Sequence, residues 1–265
     1  MCLTPINLKQ KEAVVPCGKC PQCTARRTSA WSFRLIQEEK QSTTAYFITL
    51  TYADKNLHYK DANTRPTLIK RDLQLFFKRL RKANPNTRPI KYFAVGEYGE
   101  KTWRPHYHVI LFNAEIETIQ KAWHLGTVHY AIVNEQTVGY TLKYISKPKP
   151  SKYALRNRNQ QFQLQSQGLG KNYLTKAMLS WHKKEIPLRS YCNLQDGKKI
   201  TMPRYYKDKI YNADERLQIH NAQLEKLQKE HELFMSDFDV NYHNLTQSIN
   251  AIKKHQSFNL KPSLL

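Results

Sequence analysis

The hydrophobic positions of the chain follow two spacings, one typical of strands and one typical of helices. Short runs of β-branched and aromatic residues predict strands. Stripes at three- and four-residue spacing, such as Leu73, Phe76, Phe77 and Leu80, predict amphipathic helices. The predicted strands cover 46–52, 91–97, 105–113 and 126–133, and the predicted helices cover 24–40, 67–83, 137–147 and 213–235.

The order of these elements is strand, helix, hairpin, strand, helix, which predicts an α+β fold with helices flanking a central antiparallel sheet. Thr67 is the expected N-cap of the second helix, and Asn84-Pro85 is expected to end it. The chain after Lys147 is polar and strongly basic. The predicted division is a Cys-rich arm (1–23), a core (24–150), a basic DNA-binding extension (151–211) and a helical, flexible C-terminal tail (212–265).

Charge points to a polyanionic partner. Lys and Arg number 43 against 21 Asp and Glu, a formal net charge of +22. Residues 143–211 alone hold 16 basic residues against three acidic ones. Such a surface attracts nucleic acid through phosphate contacts, although a merely solubilising surface is the alternative. The candidate DNA-binding residues are Arg26, Arg27, Arg104, Lys183, Lys184, Lys198 and Lys199.

Membrane partners are not expected. No run approaches the roughly 18 apolar residues that a membrane span needs. The first residues contain no apolar signal segment. We therefore expect a soluble intracellular protein.

The strand 105–113 contains His106-Tyr107-His108, and alternate residues of a strand face the same side. Two adjacent imidazoles suit a divalent metal. Glu97 ends the preceding strand of the hairpin and could add a carboxylate ligand. The alternatives are structural sheet histidines and a Glu97 paired with Arg104 or Lys101.

The predicted helix 137–147 carries Tyr140 and Tyr144 four residues apart, with Lys143 and Lys147 on an adjacent face. A tyrosine hydroxyl becomes a nucleophile only when a cation stabilises its phenolate. A lysine ammonium or a nearby metal could supply that cation. The alternative is an amphipathic helix with two core tyrosines and two solvated lysines.

Cysteines cluster near the N-terminus. Cys17, Cys20 and Cys23 have C-x₂-C spacing twice, and Cys2 could complete a structural Cys₄ zinc site. An iron–sulfur cluster accepts the same spacing, and free reduced thiols are a third interpretation. Cys192 is expected to be a buried or free thiol.

Three motifs occur in an order that resembles the HUH endonucleases of rolling-circle replication. They are Phe47-Ile48-Thr49-Leu50-Thr51, then His106-Tyr107-His108, then the tyrosine pair in YTLKYISK. The sequence is most similar to the two-tyrosine branch, and within it to replication initiators of microviruses of the gokushovirus group. The segments VPCGKCPQCTARRTSAW and GEYGEKTWRPHYHVILF carry that closer resemblance.

The resemblance implies a central sheet of HUH (ferredoxin/RRM-like) type and a Mg²⁺ or Mn²⁺ ion held by His106, His108 and Glu97. It implies attack by Tyr140 or Tyr144 on single-stranded origin DNA of the viral replicative form, a 5′-phosphotyrosine intermediate and later rejoining of the strand. A host helicase and polymerase in the bacterial cytoplasm would be partners. A non-enzymatic zinc-containing single-strand binder and a related HUH transposase or relaxase are the alternatives.

Overall fold

The computed structural model describes residues 2, 4–8, 13–60, 65–85, 87–133, 138–139, 141–142, 158–194, 197–236, 242–247 and 249–250. The chain forms two compact units, Met1–Thr175 and Lys176–Leu265. The first unit contains the strands β1 (Ile6–Leu8), β2 (Ala13–Val15), β3 (Ala45–Tyr52), β4 (Lys91–Tyr98), β5 (Pro105–Phe112), β6 (Gly126–Ile132) and β7 (Phe162–Gln165), and the helices α1 (Pro21–Glu39), α2 (Lys70–Ala83) and α3 (Ile116–Ala122).

Five of these strands form one antiparallel sheet in the order β6-β3-β5-β4-β7. Strands β1 and β2 form a separate two-stranded ribbon. Helices flank the large sheet, so the predicted α+β class with a central antiparallel sheet is confirmed. Strand β5 is the middle strand, and both of its histidines therefore lie in the centre of the sheet rather than at an edge.

One face of the sheet is buried under α2 and α3. Leu50 and Tyr107 from the sheet pack with Phe76 of α2 and Ile119 of α3 in a single apolar cluster. The hydroxyl groups of Tyr52 and Tyr107 lie 2.6 Å apart inside it. This face carries most of the core, because alternate residues of every central strand contribute to it.

The opposite face is apolar along only part of its length. Phe93 and Ile110 pack there with Leu35 of α1 and with Val138 and Leu142, which have helical conformation. Trp31 of α1 lies against Phe93, with 4.9 Å between ring centroids. Along β5 the apolar pattern ends after Ile110, where His108 and His106 follow on the same face. A polar site therefore begins where the helical cover meets the histidines.

The second unit contains α4 (Lys176–Lys184), β8 (Tyr191–Asn193), β9 (Lys199–Thr201), α5 (Arg204–Ile210) and α6 (Ala213–Ser236). Strands β8 and β9 pair in an antiparallel ribbon. The predicted helix 213–235 corresponds to α6. Much of the predicted flexible tail lies outside the described residues. None of the helices described is long and apolar enough to cross a membrane.

Some predicted local details differ from the structure. Helix α2 begins at Lys70, and the expected cap Thr67 is buried and accepts a hydrogen bond from the Asn159 amide instead. Strand β7 lies within the predicted basic extension but adds to the core sheet beside β4. The pattern at 162–165 is only four residues long, and its strand conformation depends on pairing with the distant β4.

Candidate active site

Pairing between β4 and β5 brings Glu97 directly opposite His106. His108 lies two residues farther along β5 and faces the same side. Glu97 Oε1 is 2.7 Å from Nε2 of His106 and 3.0 Å from Nε2 of His108. The structure therefore brings the three predicted metal ligands together.

Other groups fix the orientation of both imidazoles. Nδ1 of His106 lies 3.2 Å from the Arg104 carbonyl oxygen, and Nδ1 of His108 lies 3.0 Å from the Thr49 hydroxyl. With a proton on Nδ1, each ring donates to these oxygens and turns the lone pair of Nε2 toward Glu97. The ring of Phe47 stacks on His108 at a 5.5 Å centroid distance and a 13° interplanar angle.

The donor set fits a divalent cation. Two ligand atoms about 2.1 Å from an octahedral ion, in adjacent positions, are about 3.0 Å apart. Both distances from Glu97 to the imidazole nitrogens match this spacing. Because acceptor atoms face each other across each of these gaps, a proton or a cation is needed between them.

Burial and charge pull the Glu97 carboxyl in opposite directions. Burial alone raises its pKa, but hydrogen bonds and charge from His106 and His108 outweigh burial and leave the pKa below its ordinary value. Glu97 and His108 are each 5% exposed, whereas the His106 side chain is 19% exposed. The site therefore opens to solvent on the His106 side, where substrate oxygens or water could complete the coordination.

The predicted nucleophile segment begins beside this site. Val138 and Leu142 are buried in the same apolar cluster as Val95, which is paired with His108 across the β4–β5 ladder. Helical residues of the segment therefore cover the sheet face that carries the three ligands. The predicted catalytic residues themselves, Tyr140, Lys143, Tyr144 and Lys147, lie outside the described residues.

Arg104 has a clear structural task. Its guanidinium pairs with Asp54 at 2.6 Å and donates to the Tyr52 carbonyl at 2.6 Å, while its own carbonyl faces His106. Arg104 therefore ties the hairpin connection to the end of β3 and helps to orient a metal ligand. Its predicted contact with DNA stays a prediction.

The other predicted DNA-binding residues are at the surface of their units. Arg26 and Arg27 are exposed on α1, and Arg27 also donates to the Gly18 carbonyl at 2.8 Å. In the second unit Lys183 pairs with Glu215 at 3.2 Å, and the Lys199 ammonium lies 4.4 Å from the centre of the Tyr191 ring. Lys184 and Lys198 are also exposed.

The four N-terminal cysteines converge. The sulfur atoms of Cys2, Cys17, Cys20 and Cys23 all lie within 4.8 Å of one another. Hydrogen bonds from the Thr4 side chain and from the Lys19 and Cys20 amides lower the pKa of Cys17 to about 5, whereas burial raises the pKa of Cys23 to about 12. Cys192 is buried in the second unit, as expected.

Thr49 is the site residue that sequence reasoning did not assign a role. It belongs to the Phe-Ile-Thr-Leu-Thr motif, which we used only to predict a strand and a family. The signal was its alternation with Leu50: Thr49 and Thr51 are polar positions on a face opposite the core. Only the pairing of β3 with β5 shows that Thr49 meets His108.

The fold and the site define a class, an α+β protein with a paired-histidine and carboxylate site on its central sheet. Residues 45–149 match the model of a family described as replication-associated protein ORF2. The matched segment contains both the metal-ligand triad and the predicted tyrosine pair, so the likeness to this family covers the candidate site.

Three phage proteins are relatives. The chain is 28% identical to the replication-associated protein VP4 of Bdellovibrio phage phiMH2K, over 73% of this chain and 66% of the relative. It is 38% identical to the replication-associated protein ORF2 of Spiroplasma virus 4, over 40% and 34%, and 25% identical to the replication-associated protein ORF4 of Chlamydia phage 1, over 76% and 55%.

The predicted resemblance to microvirus replication initiators is thus confirmed. The chain aligns with between 34% and 66% of the length of these relatives. No solved structure matches the chain.

Proposed function

We propose that the chain initiates rolling-circle replication by nicking single-stranded origin DNA through a tyrosine attack that a metal ion assists. One observation carries the proposal: Glu97, His106 and His108 converge on the sheet face that helical residues of the tyrosine segment also cover. A purely structural histidine pair has no need of a carboxylate whose oxygen faces both Nε2 atoms.

Glu97, His106 and His108 are the proposed ligands of Mg²⁺ or Mn²⁺. The bound ion would supply Lewis-acid polarisation of the scissile phosphate. Imidazole ligands favour Mn²⁺ by affinity, whereas the carboxylate also suits Mg²⁺. Thr49 and the Arg104 carbonyl hold the two rings so that Nε2 faces the ion.

The proposed nucleophile is the hydroxyl oxygen of Tyr140 or Tyr144. Its attack forms an oxygen–phosphorus bond, the bond from phosphorus to the 3′ oxygen breaks, and the phenolic proton is replaced as the 3′ oxygen takes up a proton. The products are a 5′-phosphotyrosine and a 3′-OH that primes synthesis. Lys143 and Lys147 are the proposed cations that stabilise the phenolate and the phosphorus centre.

The second tyrosine would cleave the junction that synthesis regenerates. The newly freed 3′-OH then attacks the first phosphotyrosine, which restores a phosphodiester and closes a circle. Two tyrosines four residues apart suit this alternation, and either one could act first. The sequence holds no Walker A motif, so a host helicase and a host polymerase are the proposed partners in the bacterial cytoplasm.

Cleavage and binding can be tested separately. Single-stranded oligonucleotides that tile the encoding genome are incubated with the protein and Mn²⁺ or Mg²⁺. The wild-type chain should cleave one site, whereas EDTA or His106→Ala should abolish cleavage and leave most DNA binding, which the basic surface supplies. Cleavage that persists in EDTA or in the variant contradicts the metal role.

The alternative of a non-enzymatic single-strand binder makes a different prediction for the same assay. It expects salt-dependent DNA binding with no cleavage of any oligonucleotide in either metal. The paired ligand geometry favours the enzyme, because phosphate binding alone requires only basic and aromatic surface.

A further inference from the structure

Outside the family segment 45–149, the Cys-rich start of the chain forms a compact cluster. Cys2 precedes the β1–β2 ribbon, Cys17 and Cys20 follow it, and Cys23 lies in the first turn of α1. Three separate pieces of backbone therefore deliver four sulfur atoms to one point. The convergence of Cys2, which is 15 residues from Cys17, requires the ribbon to fold back.

The distances fit one ion. Sulfurs round a tetrahedral Zn²⁺ with bonds of about 2.3 Å are about 3.8 Å apart. Sγ of Cys20 lies 3.8 Å from Sγ of Cys2, and every pair among the four is within 4.8 Å. A disulfide would need about 2.05 Å between two sulfurs. A multinuclear iron–sulfur cluster would spread its ligands over several irons, so it fits this spacing less well.

Backbone groups around the sulfurs support a metal-bound thiolate. The Lys19 and Cys20 amides donate to Cys17 Sγ at 3.4 and 3.2 Å, and the Cys17 amide donates to Cys2 Sγ at 3.2 Å. Donors of this kind orient thiolate ligands and spread their charge. The turn between Cys17 and Cys20 has Gly18 at φ 72°, a conformation that favours glycine.

We propose that Cys2, Cys17, Cys20 and Cys23 bind one structural Zn²⁺ that fixes the N-terminal ribbon to the start of α1. Helix α1 then extends to Trp31 and Leu35, which pack on the sheet face that carries the active-site triad. Arg27 of the same helix donates to the Gly18 carbonyl at 2.8 Å and so braces the turn between the ligands. The zinc would therefore order a helix that covers this face, without taking part in DNA cleavage.

Metal content tests this directly. The full chain is purified with a phosphine reductant and no added metal, and its zinc and iron are measured by elemental mass spectrometry. One zinc per chain is expected, together with release of that zinc when a mercurial titrates the thiols. A protein with no zinc after growth in zinc-supplemented medium, or with iron in its place, overturns the proposal.

Variants identify the ligands. Cys20→Ser should lose most of the zinc, while Cys192→Ser, which changes a buried cysteine of the other unit, should keep one equivalent. If Cys20→Ser fails to fold, Co²⁺ substitution in the wild-type chain decides: four thiolates give an intense sulfur-to-cobalt charge-transfer band and tetrahedral d–d bands. Octahedral cobalt spectra, or full zinc in Cys20→Ser, contradict the four-cysteine site. Because the readout is metal content, its outcome is independent of nicking activity.

Discussion

Replacing Thr49 by valine removes one hydroxyl beside the metal site and nearly preserves side-chain volume. In the wild-type chain that hydroxyl lies 3.0 Å from Nδ1 of His108, on the side of the ring opposite the metal-facing nitrogen. Its loss frees the imidazole to place its proton on Nε2, where it blocks metal binding. Thr49→Val should therefore weaken metal affinity without unfolding the sheet.

The size of the effect follows from what remains. Loss of such outer partners costs metal affinity about 10- to 100-fold, or about 1.4 to 2.8 kcal/mol at 1.4 kcal/mol per tenfold. Phe47 still stacks on His108, and the ring is 5% exposed, so its plane stays fixed and only the preferred tautomer changes. We therefore expect the lower end, about tenfold.

The assay is an Mn²⁺ titration in which electron paramagnetic resonance measures free Mn²⁺. Thr51→Val is the matched control, because Thr51 lies on the same strand face but bonds to the Thr127 hydroxyl at 2.7 Å. Thr51→Val should bind Mn²⁺ about as tightly as the wild-type chain. Equal weakening of both variants, or unchanged affinity of Thr49→Val, would refute the proposed role of the hydroxyl.

Three further predictions concern other groups. Glu97→Gln keeps the shape of the side chain but removes its charge, so Mn²⁺ binding by the same titration should fall by more than in Thr49→Val; an equal or smaller loss would argue against a carboxylate ligand. Burial lowers the pKa of His182, so the unfolded chain binds more protons below about pH 6.5. Urea unfolding should therefore show the second unit losing stability from about pH 7.5 to about pH 5.5, and His182→Gln should reduce that loss; an unchanged pH dependence would contradict this. Neutralising four lysines should weaken DNA binding and flatten its salt dependence, measured by fluorescence anisotropy, and an unchanged slope would contradict their role. The four are Lys183, Lys184, Lys198 and Lys199.

Local pattern was sufficient for the main strands and helices of the core. The alternation in β3 and β5 and the apolar stripe of α2 are strong signals, because each element buries one face over seven or more residues. Helix α3 and strand β7 were not predicted. Both are short, and their conformations depend on packing against α2 and on pairing with β4.

The candidate site shows the same division. Residue type and spacing predicted that His106, His108 and Glu97 would converge, and the β4–β5 register confirms their proximity. The hydrogen bond from Thr49 requires the β3–β5 register, which local pattern does not fix. Thr67 illustrates a failed local rule: its side chain suits a helix cap, but the fold uses it to bond Asn159.

The covalent intermediate gives the most direct test of the proposed function. The chain is incubated with Mn²⁺ and the cleaved single-stranded oligonucleotide, digested with protease, and the nucleotide-linked peptide is sequenced by mass spectrometry. We predict a 5′-phosphate linked to Tyr140 or Tyr144, and no adduct in the double variant Tyr140→Phe/Tyr144→Phe. An adduct on another residue, an adduct that persists in the double variant, or cleavage with no covalent intermediate would contradict the account.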